Sequence, residues 1–171
     1  MILPKNRDPR FITVRRGGTL LDTDHKLLAL WAADCAEHVL HHFEAVRPKD
    51  DRPRRLIDMA RAWARGEVTV AVAHKAAFVA NAAAREVTGA AKLAALAAGQ
   101  AVAVAHVAAH ELGAAAYAIR AVREAAGEDR AEEAGRRECA WQRSKLPRRI
   151  RALVLDDQKR RNDICWSVFS P

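Results

Sequence analysis

Val70-Ala71-Val72-Ala73-His74-Lys75-Ala76-Ala77 and Val102-Ala103-Val104-Ala105-His106-Val107-Ala108-Ala109 are one phrase written twice, 32 residues apart. Ala82-Ala83-Ala84 recurs as Ala114-Ala115-Ala116 at the same offset, so ten of the fifteen positions from 70 to 84 match their counterparts. With one residue of slippage, Ala62-Trp63-Ala64-Arg65-Gly66-Glu67 lies over Ala95-Leu96-Ala97-Ala98-Gly99-Gln100. A period of about 32 residues holds a helix, a Gly-centred break and a second helix, the size of one helical hairpin. Two such units are too few for a solenoid. The stretch from Val70 to Tyr117 therefore reads as the duplicated centre of a single compact all-α bundle, closed by different helices at its two ends.

Working outward, 171 residues suffice for one domain with its own core, and half of the chain is apolar. Much of that half is Ala, with only 5% aromatic residues. Ala is the strongest helix former and lets helix axes approach closely, but contributes little buried area. A thin core is expected, pinned by Trp31, Trp63, Trp141, Trp166, Phe43, Phe78 and Tyr117. Residues 1–16 are too polar for a signal peptide, and the apolar run over 93–118 is interrupted by Gln100, His106, His110 and Glu111, so no membrane span is expected. Three widely spaced cysteines, Cys35, Cys139 and Cys165, fit reduced thiols in a cytoplasm.

The net charge of +8 is carried by the ends: +4 over residues 1–16, −1 over 17–129 and +5 over 130–163. The chain accordingly divides into a short extended N-terminal arm over 1–21, a helical core over 22–126, and basic C-terminal helices over 130–169 that pack back on the core. In the arm, Pro4, Pro9 and Gly17-Gly18 bracket a β-leaning Phe11-Ile12-Thr13-Val14. Leu27, Leu28, Trp31, Cys35, Val39, His42 and Phe43 form one helical stripe that ends near Val46, before Pro48. Pro53 opens the next helix, with Leu56, Ile57, Ala60, Trp63 and Ala64 inward, and Gly66 closes it. Thr69 caps a third helix whose buried side is Val72, Ala73, Ala76, Ala77, Ala80, Ala83, Ala84 and Val87. A fourth covers about 90–98, Gly99 turns it into a fifth, and Gly127 ends the core. A charged helix over about 130–145 and another starting at Pro147, with Ile150, Leu153 and Val154 inward, complete the chain. The tail Ile164-Cys165-Trp166-Ser167-Val168-Phe169 is too apolar for a free end.

Chemistry has few advocates. His106 and His110, one turn apart beside Glu111, have metal-pair spacing on a helix, but a metalloprotease would place Glu directly after the first His. The repeat sets His74 against His106, which points to a shared packing role. Asp34, Cys35 and His38 form an acid, thiol and imidazole set on one helix face, yet a nucleophilic Cys is usually placed at a helix N-terminus, and Cys35 is mid-helix. There is no phosphate loop, dinucleotide fingerprint or nucleophile elbow. No cofactor and no resident metal are expected. The basic series Arg148, Arg149, Arg160 and Arg161, with Trp166 following, is a candidate partner-binding surface, either for a protein or, as a phosphate track, for nucleic acid.

Several stretches together carry a likeness: Asp8-Pro9-Arg10-Phe11 with Arg15-Arg16-Gly17-Gly18; Asp24-His25-Lys26-Leu27-Leu28 running on to Glu37-His38; Ala105-His106-Val107-Ala108-Ala109-His110 with Gly113 to Ala118; and the ending Asp163-Ile164-Cys165-Trp166-Ser167-Val168-Phe169. They resemble the immunity proteins of bacterial polymorphic-toxin systems, in the helical family called immunity domain five-like, from about residue 8 to 169. The resemblance implies a bacterial, cytoplasmic, all-helical, non-enzymatic protein that binds and neutralises a partner toxin. The other readings are a basic nucleic-acid-associated protein and a metal-binding or enzymatic bundle around His106 and His110. The Ala-rich faces suit a second copy of the chain as well as a core.

Overall fold

In a bundle this rich in Ala, the helix with the fewest large side chains can be surrounded most closely, and that helix is the centre of the molecule. The computed structural model describes residues 3–170, and residues 78–80 by backbone alone, so the expected core positions Phe78 and Ala80 lie outside the described side chains. Among the described residues there are eight α-helices: α1 (Asp22–Val39), α2 (His41–Val46), α3 (Arg52–Arg65), α4 (Val70–Arg85), α5 (Gly89–Ala103), α6 (Glu111–Ala126), α7 (Ala131–Ser144) and α8 (Arg148–Arg161). The fold is all-α, as expected. α5 packs against α1, α2, α3, α4 and α6. From Ala94 to Ala103 none of its residues is exposed, the signature of a helix enclosed on every side.

The twice-written phrase does not take one structure. Its first copy is the unbroken α4, capped by Thr69 Oγ1, which accepts from Val72 N at 3.4 Å. Its second copy straddles the end of α5, an irregular turn over 104–110, and the start of α6. Gly99 was expected to break the chain and instead lies inside α5. A mid-helix Gly costs only about 1 kcal/mol, and Ala97, Ala98 and Ala101 around it are completely buried, so packing favours continuing the helix. Gly113 likewise lies within α6. The duplication survives only as two helical hairpins, α3–α4 and α5–α6, with different break points.

Elsewhere the boundaries follow the local signals. α3 begins at Arg52-Pro53, buries Leu56, Ile57, Ala60 and Ala64, and ends at Gly66. Pro147 precedes α8, whose Ile150 and Val154 point inward. The first helix is shorter than its stripe, because it bends at Leu40, whose N–H donates to Glu37 O at 3.1 Å before α2 resumes. Val72, expected inside, is 47% exposed, since α4 turns its Ala73, Ala83 and Ala84 side towards the core.

The N-terminal arm is not extended. Two single 3₁₀ turns, Pro9–Phe11 and Val14–Arg16, and one isolated bridge between Thr13 and Leu20 fold it back, and Phe11 and Leu20 enter the core. Gly18 makes this possible: a Cβ there would lie 2.1 Å from the Ile12 carbonyl oxygen. α7 docks through a buried polar network. Trp31 Nε1 donates to Gln142 O at 2.9 Å, and Gln142 Nε2 donates to Ala115 O at 3.1 Å and to Glu138 Oε1 at 2.9 Å. His38 Nδ1 donates to the other Glu138 oxygen at 2.7 Å, while its ring stacks on Trp141 at 3.6 Å. The described tail buries Cys165, Val168 and Phe169. Among the described residues no helix is long and apolar enough to cross a membrane.

Candidate functional site

A helix that stops without Gly or Pro leaves carbonyls that need donors. At the turn over 104–110 those donors come from the far ends of the chain. His25, in the first turn of α1, donates from Nε2 to Val104 O at 2.6 Å, and burial lowers its pKa and so keeps it neutral. Arg161, the last residue of α8, donates from Nη2 to Ala109 O at 2.9 Å. Arg16 reaches His106 O at 3.4 Å.

Arg161 also closes a buried ionic cluster. Its Nη1 lies 2.8 Å from Asp157 Oδ2 and 3.8 Å from Glu111 Oε2, and all three side chains are almost inaccessible. With both carboxyls ionised, neither Glu111 oxygen would have a donor. Burial, and then the adjacent Asp157 charge, push the Glu111 pKa far up, so Glu111 keeps its proton and shares it with Asp157. Asp157 is also raised by burial, opposed by that hydrogen bond and by Arg161. The cluster thus holds one carboxylate against one guanidinium.

Beside it, the rings of His74 and His106 lie 4.3 Å apart and those of His106 and His110 5.2 Å apart. His106 and His110 do not share a helix face, because both lie in the turn over 104–110, and it is tertiary folding that brings His74 beside them. Burial lowers both to a pKa of about 4, helped by neighbouring histidine and arginine charge. His110 Nδ1 is engaged by Gln100 Oε1 at 2.8 Å, over Gly113, where a Cβ would strike that oxygen at 2.2 Å. Among the described residues no group of three or more His, Cys, Asp or Glu is placed to hold a metal. The Asp34, Cys35 and His38 set does not assemble either. Asp34 pairs with Arg61 at 2.8 Å, His38 with Glu138, and Cys35 is fully buried with its thiol pKa pushed well up by burial, the reverse of nucleophile activation. Between the arm and the turn over 104–110 lies a cavity of about 100 Å³, with His106, Asp157 and Arg161 in its wall.

The basic candidates divide. Arg148 and Arg149 stand exposed at the start of α8, Arg149 paired with Asp24. Arg160, also exposed, lies at its far end and pairs with Asp156 at 2.7 Å. Arg161 is only 5% exposed and faces inward. Trp166 is 42% exposed, and its form of display is unusual. Trp166 and Ser167 are the non-Gly residues with positive φ among those described, at 58° and 55°. This left-handed pair is held by Ser167 N donating to Asn162 O at 2.7 Å, Phe169 N to Asn162 Oδ1 at 2.9 Å, and Arg143 Nη2 to Phe169 O at 2.8 Å. The effect is to bury Cys165 and Val168 while turning Trp166 out, 5.1 Å from the Tyr117 ring, with the Arg120 guanidinium 4.1 Å over its face. Sequence reasoning did not include Arg120; its three-residue spacing from Tyr117 on one helix was the available signal.

Residues 18–149 match the family model described as Imm-5 like putative immunity protein. No curated protein and no solved structure matches the chain.

Proposed function

The chain belongs to the Imm-5 like immunity protein family, and from that premise we propose that it works without catalysis, by binding a partner toxin and neutralising it through surface complementarity. The observation that carries this reading is the Trp166 corner. Two consecutive left-handed residues cost about 1–2 kcal/mol each, and such strain is retained where the surroundings fix it and clusters at functional positions. Here it displays a rigid aromatic ring under an arginine, the residue types that dominate binding hot spots. Arg160, Arg148 and Arg149 extend the basic surface along α8. With a formal net charge of +8, the complementary surface on the toxin is acidic.

The test is co-expression with a candidate toxin, such as the product of a neighbouring gene, scored by growth. Wild-type protein is expected to restore growth and to co-purify with the toxin in equal amounts. Trp166→Ala is expected to lose most of that protection while keeping its thermal midpoint within a few degrees. Full protection by Trp166→Ala refutes the assignment of the corner. Recovery of nucleic acid that dissociates as salt rises, with no protein partner, refutes neutralisation and replaces it with phosphate binding.

A further inference from the structure

We infer that the cavity between the N-terminal arm and the turn over 104–110 is a binding site for a carboxylate carried on a short apolar body. Three independent observations converge on it. The first is charge: four arginines and two aspartates line the cavity, a formal surplus of +2. Asp8 is held by Arg10 at 2.6 Å and Asp157 by Arg161 at 2.8 Å, so both lining carboxylates are already paired. Arg16 contributes a single long bond, to His106 O at 3.4 Å, and Arg7 joins it at the rim.

The second is an unmet polar group. His106 lines the cavity, and its Nδ1 is buried with no hydrogen-bond partner. Leaving such an atom unpaired is destabilising, a cost that an Nδ1–H donating to a carboxylate would recover. Arg7 and Arg16 both contribute to holding the His106 pKa down, and an anion beside the ring would oppose them.

The third is shape. Phe11, Ile12, Val107 and Ala108 supply an apolar wall. A volume of about 100 Å³ is that of about three waters, room for a carboxylate with a few carbons. A phosphate would set polar oxygens against that wall, whereas a planar carboxylate can take an arginine side-on and turn its aliphatic part inward.

The same chemistry has two sources, a free short-chain acid or an acidic side chain of the toxin. Only the second rests on the neutralisation reading, and the free protein tests the site without any toxin. Butyrate, butyramide, inorganic phosphate and the amide of N-acetylglutamate are titrated into isotopically labelled protein, following the His106 ring and the Ala108 methyl group by NMR. Butyrate is expected to shift both saturably and to raise the His106 pKa from about 4 by about one unit. Arg7→Gln and Arg16→Gln, both rim changes, are each expected to weaken binding at least severalfold. Tighter binding of the glutamate derivative supports the site with a partner side chain as its occupant, and equal or tighter binding of butyrate supports it with a free acid. No saturable shift, an equal response to butyramide, or equal competition by phosphate each overturns the proposal.

Discussion

Replacing Arg161 by Met tests the buried cluster most directly. Asp157 and Glu111 are 1% and 0% exposed, so the variant leaves a buried acidic pair without the guanidinium that faces it. Removing one partner of a buried pair costs about 3–5 kcal/mol. The cost is bounded, because Asp157 can take up a proton. Driving a carboxyl from its ordinary 3.8 to neutral at pH 7 costs about 4 kcal/mol at 1.36 kcal/mol per unit. The lost donor to Ala109 O adds about 1 kcal/mol or more. With a urea slope near 2 kcal/mol/M, the unfolding midpoint at pH 7 should fall by about 2 M. The sign with pH follows from the raised Asp157 pKa in the folded variant: the penalty is smallest below the ordinary 3.8, where the carboxyl is protonated folded and unfolded alike, and grows as pH rises. Asp157→Leu combined with Arg161→Met should lose less than the single Arg161 change, since the orphaned charge is gone. A loss below about 1 kcal/mol at pH 7, or a penalty that does not change with pH, would falsify this account of the cluster.

In the wild type, His110 and His106, both near 4 when folded, take up protons more readily once unfolded, so stability should decline as pH falls from 6.5 to 4. His110 accounts for up to about 3 kcal/mol, opposed in part by Glu111, whose raised pKa works in the other direction. Thermal melts across that range check it, and His110→Asn should flatten the curve. Gly18→Ala should cost about 2 kcal/mol or more and release the arm, because its Cβ would meet backbone at 2.1 Å; amide exchange at Leu20 reports the release. Ser167→Gly should be neutral or stabilising by up to about 1 kcal/mol, since Gly accepts φ near 55° without strain, and a lowered melting point would count against the left-handed turn.

The elements readable from sequence were those with local punctuation: Pro53 and Gly66 around α3, Thr69 before α4, Gly127 and Pro147 around α7 and α8. The break over 104–110 was not readable, because Val104-Ala105-His106 carries no breaker and repeats a phrase that is helical elsewhere. What stops the helix is a set of donors supplied by residues 25 and 161, invisible to any local window. The same holds for the candidate site. His106 and His110 were picked out as neighbours, which they are, but through a turn and not a shared helix. Arg161 looked like one more surface base beside Lys159 and Arg160. Its burial depends on Asp157, one turn earlier, facing Glu111 from a distant part of the chain.

The first and last helices each place a side chain on the same interior turn, His25 on Val104 and Arg161 on Ala109. The two ends of the chain are therefore keyed into its middle. Fraying at either end strips a donor from the centre, which couples terminal opening to global unfolding and leaves little room for a partly unfolded intermediate. A proteolytic nick that loosens α1 or α8 would thus expose the whole bundle to digestion. Deletions meant to trim the molecule to its Ala-rich centre should yield a chain with no stable core of its own.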